Sequence, residues 1–187
     1  MGSLFFARNH RGFTLIEVMV SVLILAVGLL GVAGMHARIV NAQFDAYQRA
    51  QAMLLLEDMA SRIHANPQDA RDGSYGGSTV FGLSSKICDN TASSVEDDTA
   101  CWNEALRGVG ISGSGGTSLG SMIGARGCIE NISGGGTAPR VIRITVAWQG
   151  MTPTAAPAQT CGQNQFGDDS LRRAISLDVT LAYLGEV

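Results

Sequence analysis

A single carboxylate lies within the most apolar part of the chain. Phe13 to Met35 reads FTLIEVMVSVLILAVGLLGVAGM, and Glu17 is its one ionisable side chain. An acid in apolar surroundings costs free energy unless it is paired, so an ionisable residue in such a segment is a functional candidate. Glu17 can hold a positive charge, or it can simply extend its carboxylate to a nearby membrane interface.

The cysteines are the second group with defined chemistry. They are Cys88, Cys101, Cys128 and Cys161, and four cysteines allow three disulfide pairings, among which the sequence does not choose. We favour Cys88 with Cys101 and Cys128 with Cys161, because the second bond would tether the long loop between the last two predicted strands. Zinc binding is the alternative, but no C-x-x-C motif and no nearby histidine supports it.

The sequence contains no recognisable catalytic set. The three histidines are His10, His36 and His64, so the chain after residue 64 has none. A Ser-His-Asp or Cys-His mechanism would therefore need a base from the N-terminal third. There is also no P-loop and no H-E-x-x-H motif. We predict that the chain is not an enzyme and has no catalytic residues.

Two weaker motifs have plainer explanations than ligand binding. Gly108, Gly110 and Gly113 satisfy G-x-G-x-x-G, but a dinucleotide site needs a strand before the motif and a helix after it. The carboxylates at 96–98 and 168–169 lack the spacing of a calcium-binding EF-hand loop. We interpret both as solvated loops and predict no cofactor and no metal.

The length and net charge of the chain limit its number of domains and its possible binding partners. The chain has 187 residues, enough for one ordinary globular domain and an appendage. Its formal net charge is −3, and the basic residues form no run or patch. We therefore expect no nucleic-acid partner.

The apolar segment is long enough to cross a bilayer. Its 23 residues exceed the ~20 that a membrane-spanning helix needs. Its Leu, Ile, Phe and Val residues contribute roughly −4 to −8 kcal/mol to insertion, against at most about 3 kcal/mol for Glu17. Arg8 and Arg11 precede it without any acid, so the positive-inside rule places the N-terminus in the cytoplasm and the rest of the chain in the periplasm. Disulfides form there.

The helical pattern continues beyond Met35. Small or apolar residues recur every three or four positions, at Ile39, Ala42, Ala46, Ala50, Met53, Leu56, Ala60 and Ile63. We predict that this stripe packs on a globular head; a soluble coiled coil over 36–65 is the alternative. Asn66-Pro67 predicts the end of the helix, because a residue before proline avoids the helical region.

Most of the region after Pro67 is rich in Gly, Ser, Thr, Asn and Asp, which predicts long loops over 68–140. Apolar residues then alternate over 141–149 and 175–183, which predicts two antiparallel strands with one face on a core and one in water. A shorter strand over 127–130 could join them.

The segment Arg11-Gly-Phe-Thr-Leu-Ile-Glu-Val18 resembles the N-terminal signature of type IV prepilins and of the pseudopilins of type II secretion. The resemblance implies cleavage between Gly12 and Phe13 by prepilin peptidase, and N-methylation of the new Phe13 amine. Glu17 could then pair with a terminal amine, four residues away on its own chain or on a neighbouring subunit. Such a pair would set the axial register between subunits in a filament.

The amino-acid sequence of residues 11–67 is similar to those of the PilV group of minor pilins. This resemblance implies a subunit of the type IV pilus that supports pilus assembly and its initiation, twitching motility and adhesion. It implies other minor and major pilins, the inner-membrane assembly machinery, membrane lipid and a pilus-tip adhesin as partners. A pseudopilin, or a filament-borne binding module that acts through the head loops, remains an alternative.

The expected fold is α+β and pilin-like, with a long N-terminal helix packed on a small antiparallel sheet with long loops. We expect four regions: a cleaved leader (1–12), a membrane and filament-core helix (13–35), its amphipathic continuation (36–66) and a periplasmic or extracellular head (67–187).

Overall fold

The computed structural model describes residues 12–84, 87–89, 94–108, 122, 124–135 and 138–182. Residues 1–11 of the expected leader, positions 109–117 of the glycine-rich loop and Tyr183 of the last predicted strand lie outside these ranges. The chain divides into two compact units, Met1–Gln43 and Phe44–Val187.

Helix α1 runs from Leu15 to Ala65, 51 residues, as the periodicity predicts. It continues through the three glycines of its apolar part, at 28, 31 and 34, without a break. In the N-terminal unit, every residue from 12 to 43 is exposed.

The end of α1 lies where Asn66-Pro67 predicts it. Pro67 is the first residue of a short second helix, α2, at Pro67–Asp72. This position suits proline, which has no backbone N–H to pair in the first turn. Gly73 ends α2 in the left-handed region, with a φ of 84°.

One antiparallel sheet forms the centre of the C-terminal unit. Its strands are β1 (Val80–Phe81), β2 (Arg126–Gly135), β3 (Ala138–Gln149) and β4 (Arg172–Leu181), and they are adjacent in chain order. The two strands predicted from alternation are present as β3 and β4. The strand predicted over 127–130 is longer than expected, because it pairs with β3 along most of its length.

One face of the sheet packs against the last turns of α1. The alternate β3 residues Ile142, Ile144, Val146 and Trp148 are almost fully buried in the same core cluster as the helix residues. The indole Nε1–H of Trp102 donates to the backbone carbonyl of α1 at Leu55, at 2.8 Å. The α+β fold with a long helix on an antiparallel sheet is therefore confirmed.

The predicted helix stripe is only partly correct. Of its members, Leu56, Ala60 and Ile63 are buried, whereas Ile39 and Met53 are about half exposed. The remaining buried positions of α1 are Gln48, Ala52 and Met59. Alanines occur on more than one side of this helix, so the spacing gives a helical period without deciding which side meets the sheet.

The opposite face of the sheet is not wholly in water, contrary to the prediction. Thr145 and Ala147 are buried, and Phe166 from the loop between β3 and β4 packs on the same side. Farther along this face, Arg143 and Asp178 form an exposed ion pair at 2.7 Å. The loop over 150–171 covers one half of the face and leaves the other half in solvent.

The prediction of long loops over 68–140 missed a complete helix. A third helix, α3, spans Val95–Arg107 and buries Trp102 and Leu106. The side-chain oxygen of Ser94 accepts from the backbone N–H of Asp97, which is a helix N-cap. Ser94, with three acids at 96–98 in the first turn, was the available sequence signal for this helix. The polar composition of the surrounding sequence made the helix look like a loop.

Candidate functional site

The N-terminal segment from Gly12 to Met35 contains the predicted processing residues and Glu17. Gly12, Phe13 and Thr14 precede the helix and have no regular secondary structure. The carbonyl of Thr14 accepts from the backbone N–H groups of Glu17, at 3.1 Å, and of Val18, at 3.4 Å. The Gly12–Phe13 peptide bond therefore lies just outside the first helical turn, where the backbone is not held in a helical hydrogen-bond ladder.

Glu17 lies in the first turn of α1 and is exposed. A negative charge is favourable there because the unpaired N–H groups of a helix N-terminus carry partial positive charge. Within the residues that the structure describes, Glu17 has no ion-pair partner. Its exposed carboxylate is therefore available to pair with a cation of another molecule.

The side chains around Glu17 form an unbroken apolar surface. The large hydrophobic residues between Phe13 and Met35 are exposed by 50% at Val20 to 82% at Phe13. This part of α1 is long and apolar enough to cross a membrane, and none of it is buried in the monomer. Exposed apolar surface of this extent marks a membrane or protein interaction site.

The family comparison matches this same segment. Residues 7–33 fit the model of the prokaryotic N-terminal methylation motif. This motif is the N-terminal methylation motif of prokaryotic pilin-type proteins, and the match is confined to the N-terminal segment. The match includes Gly12, Phe13 and Glu17, and it supports a structural protein of the pilin or pseudopilin type, processed by prepilin peptidase and assembled with other pilins. Comparisons with curated proteins and with solved structures give no match.

The C-terminal unit, whose globular part we call the head, contains two disulfides. Cys88 pairs with Cys101 of α3, and Cys128 of β2 pairs with Cys161 of the β3–β4 loop. These are the two bonds that the loop argument favours among the three possible pairings. The second bond links the loop to the outer face of the sheet.

Arg172 is a buried arginine of the head whose guanidinium makes hydrogen bonds on all three nitrogens, and sequence reasoning missed it. It is only 1% exposed and lies at the start of β4. Its guanidinium pairs with both carboxylate oxygens of Asp169, at 2.6 and 2.9 Å. It also donates to the backbone carbonyls of Pro157 and Cys161, each at 3.1 Å, and of Gln159.

Arg172 therefore joins the middle of the loop over 150–171, which we call the covering loop, to Asp169 near its C-terminal end. The hydrogen bond from Arg172 keeps the pKa of Asp169 below its usual range, so this carboxylate stays charged at neutral pH. In the sequence, the Asp-x-x-Arg spacing of residues 169 and 172 was the signal for this ion pair.

A second polar group joins the end of α1 to α3. Asp98 accepts hydrogen bonds from the Tyr75 hydroxyl and from the Asn66 amide, the latter at 2.7 Å. Arg62 lies 3.6 Å from the other Asp98 oxygen. Burial and the bond to Asp98 raise the pKa of Tyr75, which therefore stays neutral.

The sequence suggested that the carboxylates at 96–98 and 168–169 are solvated loop charges. The structure instead gives two of them, Asp98 and Asp169, hydrogen bonds that hold elements of the head together. Among the described residues there is no group of three or more His, Cys, Asp or Glu that could hold a metal ion.

Proposed function

We propose that this chain is a minor pilin of a type IV pilus, made as a precursor and processed by prepilin peptidase between Gly12 and Phe13. The new Phe13 amine is methylated. The observation that carries the proposal is the methylation motif at 7–33 on a helix whose first half is apolar and wholly exposed. Such a helix requires lipid or other helices around it.

The proposed organisation follows the four expected regions. Residues 1–12 are the cytoplasmic leader, and residues 13–35 anchor the chain in the inner membrane and later lie in the filament core. Residues 36–66 continue the helix, and residues 67–187 form a head that is periplasmic before assembly and extracellular afterwards. The leader's two arginines and the disulfides of the head support this orientation.

In this proposal, Glu17 pairs with the methylated amine of a neighbouring subunit. An apolar helix can slide along similar helices at little cost, whereas a charge pair in low dielectric is favourable at one register only. Glu17 thereby sets the position of each subunit along the filament.

The proposed partners are major and minor pilins, the inner-membrane assembly machinery and a pilus-tip adhesin. Support of assembly initiation, twitching motility and adhesion, and membership of the PilV group, are the finer parts of the proposal. They depend on the resemblance of residues 11–67.

A pseudopilin of a type II secretion system is the second candidate, because the matched motif occurs in pilin-type proteins of both kinds. Both functions use the same processing and the same helix. Deletion separates them: loss of surface pili identifies a pilus subunit, whereas a secretion defect with normal pili identifies a pseudopilin.

The deciding experiment is N-terminal sequencing of the native protein from sheared surface filaments. We expect the chain in these filaments to begin at Phe13 with a methylated amine. A chain that begins elsewhere, or that is soluble and lacks residues 13–35, would refute processing and assembly together. A correctly processed chain that stays in the membrane and is missing from filaments would refute only the pilus role.

A further inference from the structure

The first part of the covering loop, residues 151–158, has a composition that no assigned function uses. It reads Met-Thr-Pro-Thr-Ala-Ala-Pro-Ala, with two threonines, two prolines, three alanines and no charged residue. We call it the Thr-Pro segment. Sequences that combine hydroxyl residues with proline are typical of regions that carry O-linked sugars.

The backbone of the Thr-Pro segment is suited to binding in the cleft of an enzyme. Residues 153–157 have no regular secondary structure. Each proline fixes its own φ, and the residue before a proline is biased towards an extended backbone. Pro153 and Pro157 therefore restrict four of the eight residues, two of which are Thr152 and Ala156. No helix or strand has to unfold before an enzyme binds this segment.

Hydrogen bonds hold the backbone of the segment against the head. The backbone N–H of Thr154 donates to the carbonyl of Ser170 at 2.8 Å. The guanidinium of Arg173 donates to the carbonyl of Thr152. The segment is therefore ordered before a partner binds, which lowers the entropy cost of binding.

The hydroxyl groups of Thr152 and Thr154 are accessible. All residues from 151 to 156 are exposed. Among the described residues, the Thr152 hydroxyl has no hydrogen-bond partner, and the Thr154 hydroxyl has a long contact of 3.4 Å to the carbonyl of Ala155. The residues between and after the two threonines are proline and alanine, so small side chains flank both hydroxyls.

Two other exposed hydroxyl residues of the head lack this setting. Thr180 lies in β4 and Ser133 lies in β2, and the backbone of each is paired with β3 at Val141. A transferase binds several residues of its acceptor. A strand inside a sheet cannot enter a cleft without losing its ladder of hydrogen bonds.

We propose that Thr152 and Thr154 are acceptor sites for O-linked glycosylation. The donor is a sugar bonded through its anomeric carbon to a diphosphate. In the transfer, the threonine Oγ forms a bond to the anomeric carbon, and the bond from that carbon to the diphosphate oxygen breaks. A base of the transferase takes up the hydroxyl proton. The products are a threonine glycoside and the free diphosphate carrier, without any change in oxidation state.

The test uses the full native chain, purified from the cells that make it. Mass spectrometry of the intact chain, and peptide fragmentation that preserves the glycosidic bond, are the readouts. We expect a mass excess of whole sugar residues that maps to Thr152 and Thr154. The proposed methylation of Phe13 lies on a different peptide, so a failure of N-terminal processing and a failure of glycosylation are separate results.

Three variants control the test. Valine at both Thr152 and Thr154 should remove the mass excess, whereas serine at both should keep it, because serine retains the hydroxyl. Thr180→Val is the matched control, since it removes an exposed hydroxyl from a strand, and it should keep the full excess.

A block of membrane export identifies the source of the sugar. A chain that is held in the cytoplasm and still becomes glycosylated has received its sugar from a nucleoside diphosphate. Glycosylation only after export indicates a lipid-linked diphosphate as the donor. Both results support Thr152 and Thr154 as acceptors.

Three outcomes would overturn the proposal. The first is a native chain whose mass includes no sugar. The second is a glycan that remains on the double valine variant, which would place the acceptor elsewhere. The third is an equal loss of sugar in Thr180→Val, which would mean that the loss does not report on the Thr-Pro segment.

Discussion

At the scale of single residues, two charged side chains have distinct roles. Glu17 is exposed in an apolar helix, and in the proposed function its partner is an amine of a neighbouring subunit. Arg172 is buried and already fully paired within the head. The charge of Glu17 is therefore available to another molecule, whereas the charge of Arg172 stabilises the fold of the head.

We predict that Glu17→Ala leaves membrane insertion intact and lowers incorporation into filaments. Loss of one charge pair worth about 1–2 kcal/mol corresponds to a factor of roughly 5–30 in a binding equilibrium. Quantitative immunoblots of sheared filaments and of membranes would measure both quantities. Ser21→Ala, one turn along the same helix, is the matched control. Equal incorporation of the Glu17 variant and the control would exclude the register role.

We predict that Arg172→Met lowers the free energy of unfolding of the head by about 2–4 kcal/mol, because it removes the partner of a carboxylate and leaves buried carbonyls unpaired. Urea unfolding of the full chain in micelles, followed by tryptophan fluorescence, would measure it. Arg143→Met removes an exposed ion pair and should have little effect. An Arg172 variant as stable as the Arg143 variant would contradict the prediction.

The ion pairs also predict a dependence on acid. Hydrogen bonds from Arg172 and Arg143 lower the pKa values of Asp169 and Asp178. Their contribution to stability is therefore present above the unfolded-state pKa of about 4 and is lost as pH falls through the lower folded-state values. Asp169→Asn should flatten the fall in the urea midpoint below about pH 4, whereas Asp178→Asn, whose partner Arg143 is exposed, should flatten it little. Thr180→Ala, on the same face, should not flatten it.

At the scale of elements, α1 has two kinds of surface. Its first half is exposed throughout, whereas its last turns are buried on one side against β3 and β4. The same helix therefore has one segment available for lipid or other helices and another that is part of the head core.

The core side of α1 can be tested by one pair of leucines. Leu56 is 5% exposed and Leu54 is 59% exposed. Leu56→Ala should lower the free energy of unfolding in micelles by about 2–5 kcal/mol because it leaves a cavity. Leu54→Ala should change it by less than about 0.5 kcal/mol. Similar losses for both would show that the helix does not pack on the sheet by this side.

At the scale of the whole molecule, the head is fastened by covalent bonds at two separate places. The Cys128–Cys161 bond closes a separation of 33 residues and links the covering loop to β2, whereas Cys88–Cys101 closes one of 13 residues beside α3. By chain entropy, the longer closure is worth about 3–4 kcal/mol.

We predict that replacing Cys128 and Cys161 by serine loosens the covering loop selectively. The backbone N–H groups of Gly150 and Thr154, which bond to the carbonyls of Leu171 and Ser170, should exchange faster. The last turns of α1 should keep their protection. Replacing Cys88 and Cys101 instead should leave Gly150 and Thr154 unchanged. Equal loosening by both double variants would contradict separate roles for the two bonds.

Much of the architecture follows from local patterns. Strict alternation predicts β3 and β4, because side chains on a strand point alternately to opposite faces. Asn66-Pro67 predicts the end of α1. Helix α3 was missed because a capping serine in polar surroundings resembles a loop, and the buried side of α1 was partly misjudged because alanine suits either side of a helix.

The sequence by itself determined the N-terminal segment: its length, its single acid and the methylation motif are continuous in the chain, so local chemistry suffices to read them. Only the tertiary structure decided that the loop over 150–171 covers part of one face of the sheet and that Arg172 is buried beneath it. These features join residues far apart in the chain, and their burial and pairing depend on which surfaces meet.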